Sequence, residues 1–134
     1  MADVGTAPPV NSRQALQDGI WLRGLANGQN RSYVNGLTAH AGGTKAAAYQ
    51  MPAGVALIQF DTVAVNGDSA LLPQAVAGTD ITVISSGVAT MSVYGRGTDT
   101  INDAATANAF SMATNTTARF VCAKDGQWKA ILSA

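Results

Sequence analysis

The clearest pattern in the chain is a series of short β-branched and aromatic runs separated by glycine, asparagine and aspartate. These runs are densest between residues 78 and 132. Apolar and polar residues that alternate over a few positions are typical of strands buried on one face. Glycine, asparagine and aspartate favour the tight turns that join such strands. The pattern therefore predicts an all-β fold.

Alternation also predicts which side chains share one face of a strand. Ile81 and Val83 share one face of a strand and Thr82 lies on the other. Near the end of the chain, Asp125-Gly126 favours a type I′ hairpin turn between two further strands. The other residues that this pattern places on one face of their strands are Met91, Val93, Ala118, Phe120, Cys122, Trp128, Ala130 and Leu132.

The middle of the chain predicts further strands. Val55 to Val65 is apolar and β-branched, which indicates two short strands or one bent strand. Asn66-Gly67-Asp68-Ser69 then favours a turn. Ala46 to Met51 leaves two alternatives open, a weak helix that Pro52 ends and an edge strand. About eight short antiparallel strands result, and we expect a β-sandwich or jelly roll.

The first forty residues differ from the rest. We expect residues 1–40 to form an extended N-terminal arm and residues 41–134 to form the β-sandwich domain. Pro8 and Pro9 favour an extended backbone, and Asn11 is a possible cap for a short helix over residues 12–18. Apolar residues around Trp21 then alternate with glycines. This segment either docks onto a partner or packs on the chain's own sheet.

Composition and charge exclude several classes of protein. The chain has 134 residues, a formal net charge of zero and 12% charged residues, whereas a nucleic-acid binder needs a clustered basic face. Its 47% hydrophobic content argues against disorder. A single cysteine allows no intrachain disulfide. No apolar run has the length of a membrane span, and the N-terminus does not resemble a signal peptide.

No set of residues predicts catalysis, a cofactor or a metal ion. His40 is the only histidine and has no second histidine or cysteine nearby in sequence, and Cys122 is predicted to face inwards. Asp99 and Asp103 lack the remaining ligands of a calcium loop, so we expect a solvated turn. Gly95-Arg96-Gly97 lacks the third glycine of a dinucleotide-binding loop. We therefore expect that the protein is not an enzyme.

Several segments carry a resemblance to a known class of protein. The stretch from about Ala46 to Leu132 resembles a module of tailed-bacteriophage structural proteins. The segments that carry it are Val65-Asn66-Gly67-Asp68-Ser69 with Leu72-Pro73, Ala77-Gly78-Thr79-Asp80-Ile81-Thr82-Val83-Ile84, Val93-Tyr94 leading to Asp99-Thr100-Ile101-Asn102, and Phe120-Val121-Cys122 with Gly126-Gln127-Trp128.

The resemblance implies a capsid decoration, or cement, protein. Such a protein binds the outside of the head and stabilises contacts between major capsid proteins. Its partners would be the major capsid protein and further copies of itself, as a homotrimer or alternatively a homodimer, with no nucleic acid and no membrane. It would assemble in the host bacterial cytoplasm and reside on the outer capsid surface. The arm residues that we expect to contact the capsid are Leu16, Ile20, Trp21, Leu22 and Arg23.

The alternative function is a tail-fibre or receptor-binding β domain that recognises a host-surface glycan. Such a domain should expose aromatic rings beside aspartate or asparagine. Tyr94 and Trp128 would form a sugar platform if they were exposed, although the alternation around Trp128 favours a place in the core.

The predicted arm can be tested by truncation. Removing the first thirty residues should abolish binding to phage heads and leave the β fold intact, because the arm supplies the expected capsid contacts. Co-sedimentation with heads and circular dichroism measure the two properties. Head binding by the truncated chain would show that the arm is not the contact.

Overall fold

The structure is a computed structural model that describes residues 31–133, and the fold is all-β over that range, as predicted. The predicted helix over residues 12–18 and the five predicted capsid contacts lie outside the described residues. The described strands are β1 (Tyr33–Thr38), β2 (Tyr49–Gln50), β3 (Leu57–Thr62), β4 (Asp68–Leu71), β5 (Asp80–Ser85), β6 (Met91–Tyr94), β7 (Thr100–Ile101), β8 (Phe110–Met112), β9 (Thr116–Lys124) and β10 (Gln127–Leu132).

The first six strands alternate between two sheets. Strands β1, β3 and β5 lie side by side and parallel in a six-stranded sheet. Strands β2, β4 and β6 do the same in a four-stranded sheet. The chain thus passes through both sheets three times, and each pass, or coil, stacks on the one before. This arrangement is that of a short β-solenoid.

The last four strands complete the two sheets with mostly antiparallel pairing. Strand β8 pairs with β6 in the four-stranded sheet. Strand β9 pairs with β5 in the six-stranded sheet and forms a hairpin with β10. Strand β7 then adds to β10 in parallel, which gives the strand order β1-β3-β5-β9-β10-β7.

The expected antiparallel jelly-roll arrangement was wrong for the first six strands, which pair in parallel. The reason is that alternation fixes which side chains face inwards and is the same for both pairing directions. The predicted type I′ turn was also wrong. Gly126 has a φ of 82°, but Asp125 is not among the residues with positive φ, and type I′ requires both.

The hydrophobic core lies between the two sheets and is built from residues in register across the coils. In the six-stranded sheet, Ile58 of β3 pairs with Val83 of β5, which pairs with Ala118 of β9, and all three are fully buried. Edge-to-face ring contacts join the sheets, with centroids 5.7 Å apart for Tyr49–Phe60 and 5.4 Å apart for Phe110–Phe120. Each fully buried large side chain contributes about 1.5–3 kcal/mol.

The residues predicted to share a strand face do so at most sites, and the structure shows that these faces point into the core. Ile81, Val83, Met91, Val93, Ala118, Phe120, Cys122 and Trp128 are all buried.

Leu132 is an exception, with 41% of its surface exposed. Strand β7 pairs with β10 only at Gln127 and Trp128, so the far end of β10 lies at the edge of the sheet. The segment from Ala46 to Met51 contains the edge strand β2, which was one of its two predicted alternatives.

Close packing at the corner between β5 and β6 generates a prediction. A Cβ atom on Gly87 would lie 2.4 Å from the backbone nitrogen of Val63 and 2.6 Å from its Cβ. Gly87→Ala should therefore lower the free energy of unfolding by about 1–3 kcal/mol through overpacking. Urea denaturation measures the change.

The matched control is Val88→Ala in the same turn. Val88 is 84% exposed, so the substitution should change stability by less than about 0.5 kcal/mol. Equal stability of the two variants would contradict the close approach at Gly87.

Candidate interaction surface

The outward side of the six-stranded sheet carries a row of neighbouring side chains that crosses five strands. The register joins Tyr33 to Leu57, Leu57 to Thr82, Thr82 to Arg119 and Arg119 to Ile131. We call these five residues the outer row. Its two ends are the most open, with Tyr33 68% exposed and Ile131 67% exposed. The row therefore presents an aromatic ring and an aliphatic side chain to the surroundings.

Half-buried apolar side chains flank the outer row on both sides. Ile84 lies two residues beyond Thr82 on β5, and Val121 lies two residues beyond Arg119 on β9. Because side chains two residues apart along a strand share a face, both belong to the same outward surface. We call the outer row together with Ile84 and Val121 the outer face. Neighbouring strands lie about 4.8 Å apart, so five strands span about 19 Å.

Ion pairs balance the charges at the outer face. The Arg119 guanidinium donates through Nη2 to Asp80 Oδ2 at 2.6 Å and through Nε to both carboxylate oxygens at 3.1 and 3.2 Å. The hydrogen bond to Asp80 and its negative charge raise the pKa of Arg119 above its ordinary value, so it stays charged. Lys129 on β10 likewise pairs with Asp103 at 2.6 Å.

This combination suits contact with a protein surface. Aromatic and aliphatic groups gain free energy when a partner removes them from water, and arginine is favoured at interfaces because its fork binds carboxylates with defined geometry. Arg119 and Lys129 each have a carboxylate partner, so the positive charges of these two residues are balanced.

The residues considered for catalysis are not assembled into a site. His40 is exposed, and its backbone N–H and C=O bond to Ser69 at 2.9 Å each. Cys122 is buried as predicted, and its thiol donates to the carbonyl of Lys124 at 3.1 Å. Among residues 31–133, no three histidine, cysteine, aspartate or glutamate side chains are close enough to hold a metal ion.

Asp99 and Asp103 have separate roles. The Asp99 carboxylate is buried and accepts a hydrogen bond from the backbone N–H of Ala75 at 2.8 Å. Asp103 lies in a turn with a φ of 63° and forms its ion pair with Lys129 at the surface. The expectation of a solvated turn therefore holds for Asp103, whereas Asp99 holds the backbone of another loop in place.

The possible sugar platform is absent at the two predicted positions. Trp128 is fully buried, with its ring centroid 6.5 Å from that of Phe120. Tyr94 is also buried, and its hydroxyl donates to the carbonyl of Gly43. Neither ring is available to stack on a sugar.

A shallow groove of about 440 Å³ lies beside the start of β5. Its lining contains aliphatic side chains such as Val55, Val76 and Ile81 and polar ones such as Thr79, and no aromatic residue. Aromatic rings are the side chains that the glycan-binding alternative requires, so this groove does not favour it.

Two structural features, the buried Asp68 and the outer row, were not predicted from the sequence. The buried Asp68 accepts hydrogen bonds from the backbone N–H groups of Ala64 and Val65 at 3.0 and 3.1 Å, and so fixes the turn before β4. The signal for it was an aspartate directly after Asn66-Gly67. The outer row had no such signal, because its members come from five strands whose register is set by the fold.

Comparisons with protein families, with curated proteins and with solved structures found no match to this chain. No helix in the described range is long and apolar enough to cross a membrane.

The buried carboxylate of Asp99 provides a test of its structural role. Asp99→Ala leaves the N–H of Ala75 without its acceptor and should lower the free energy of unfolding by about 1–3 kcal/mol. Asp99→Asn keeps an acceptor oxygen and should lower the free energy of unfolding by a smaller amount. Chemical denaturation measures both changes.

The control for this pair is Asp61→Ala. Asp61 is exposed and accepts a hydrogen bond from the exposed Gln59 side chain at 2.8 Å, so its loss should have a small effect. If Asp99→Ala destabilised the protein no more than Asp61→Ala, the structural role of Asp99 would be refuted.

Proposed function

We propose that this chain is a capsid decoration protein of a tailed bacteriophage and that its outer face contacts the major capsid protein. The observation that carries the proposal is the outer row, which places Tyr33 and Ile131 at the exposed ends of a charge-balanced strip. A decoration protein needs a broad contact surface and no catalytic group. The resemblance of residues 46–132 to phage structural modules supports the same function.

The rigidity of the body supports a mechanical role. Both sheets share one core, and the fully buried side chains include Trp128, Phe60 and Phe120. A closely packed interior has low compressibility and transmits load between its surfaces. A clamp on the outside of a pressurised head requires this property.

The remaining parts of the proposal follow from the resemblance. The chain would associate with further copies of itself and reside on the outer capsid surface, and neither nucleic acid nor a membrane would take part. The arm residues around Trp21 would add a second contact, and several weak contacts used together give high avidity.

A substitution on the outer row tests this function. Ile131→Asp places an unpaired charge in the proposed contact and should weaken binding to heads by at least about tenfold, because burying an unpaired charge is costly. The side chain is 67% exposed, so the fold should tolerate the change. Quantitative co-sedimentation with heads that lack this protein measures the affinity.

Val88→Asp is the control, because it adds the same charge at an 84% exposed position outside the outer face. It should bind heads like the unmodified chain. Unchanged binding by Ile131→Asp would exclude the outer face as the contact. Failure of the unmodified chain to bind heads, together with binding to host glycans, would favour the receptor-binding alternative.

A further inference from the structure

Both sheets stop at the same end of the described solenoid, in the first coil. Strand β1 is the edge of the six-stranded sheet and pairs with β3, and β2 is the edge of the four-stranded sheet and pairs with β4. Within residues 31–133, each of these two strands has only one neighbour in its sheet. Their outer sides present backbone donors and acceptors that another strand can pair with.

The two edge strands carry some of the features that protect edges in monomeric proteins and lack others. Edge strands are usually blunted by short length, by charged residues, by proline or by bulges. Neither β1 nor β2 contains a charged residue or a proline. Strand β2 is only two residues long, and the β1–β3 ladder has two register shifts, between Val34 and Leu37 and between Leu37 and Thr38. The chain has no formal net charge, so electrostatic repulsion does not oppose the approach of a second copy.

Among residues 31–133, the apolar side chains at this end are only partly covered. Val34 and Leu37 of β1 and Tyr49 of β2 pack against the core but are only half-buried. Their counterparts one coil further in are fully buried, as Ile58 and Phe60 show. Additional strands at this end would bury these side chains and extend the core.

At the opposite end of the parallel coils, both sheets continue with antiparallel strands. Antiparallel β9 pairs with β5 in one sheet, and antiparallel β8 pairs with β6 in the other. The parallel stack is thus completed in both sheets by antiparallel neighbours. A two-fold axis normal to the sheets would add antiparallel strands at the β1–β2 end in the same way. Rotation about this axis reverses the strand direction and brings each sheet of one copy beside the same sheet of the second copy.

We propose that two copies of this chain form a dimer in which β1 pairs with β1 and β2 pairs with β2 of the second copy, both antiparallel. The six-stranded and four-stranded sheets then continue across the two-fold axis. The contact is isologous, because the same surface serves on both copies. Backbone hydrogen bonds along β1 supply most of the contact, as in other cases of strand addition.

Opposite charges introduced at one position test this pairing. Asn35 is exposed and lies near the middle of β1, so the two copies of residue 35 come close to the two-fold axis. Asn35→Asp and Asn35→Lys should each weaken self-association by up to about fivefold in the full chain, since like charges then face each other. An equimolar mixture of the two variants should restore association, because opposite charges then meet. Sedimentation equilibrium measures the dissociation constants.

The matched controls are Asn108→Asp and Asn108→Lys. Asn108 is exposed and precedes β8, at the other edge of the four-stranded sheet, so these variants should associate like the unmodified chain. A monomeric unmodified chain would overturn the proposal. Self-association that neither Asn35 variant weakens would also overturn it, as would a mixture that fails to restore association.

The dimer rests on the self-association that the proposed function includes, but it is tested separately from head binding. Sedimentation of the purified chain needs no phage heads, so the dimer stands or fails on that measurement alone. A dimer that does not bind heads would support the pairing and refute the decoration role. A monomeric chain that binds heads would refute the pairing and support the decoration role.

Discussion

The structure depends on the contact between two sheets that share one hydrophobic core. Each coil adds one strand to each sheet, so the apolar residues of successive coils must align in both sheets at once. The ring contacts Tyr49–Phe60 and Phe110–Phe120 cross from one sheet to the other, the first between the first two coils and the second between the last strands. Because the core fixes the register, it also fixes which residues meet on the outward surface.

The proposed contact surface is a consequence of that register. Tyr33 and Ile131 are distant in sequence, but they end the same row because three intervening strands hold Leu57, Thr82 and Arg119 between them. The Arg119–Asp80 ion pair keeps this row charge-balanced. Exposed ion pairs contribute little to stability, so we assign this one to the electrostatics of the surface.

The sequence predicted the local features well and the pairing of strands poorly. Alternation was sufficient to place Ile81, Val83 and Phe120 in the core, because burial on one face depends only on the period of the strand. It did not distinguish parallel from antiparallel neighbours. It also missed the outer row for the same reason, since that row depends on register. The sequence did not predict the structural role of the buried Asp99, because its hydrogen-bond partner, Ala75, is 24 residues away in the chain.

The central claim is that this chain is part of the outer surface of a phage head. Immunogold labelling of intact virions, with an antibody raised against this chain, tests the claim most directly. The account predicts even labelling over the head. Labelling confined to the tail would contradict it and would direct attention to recognition of the host.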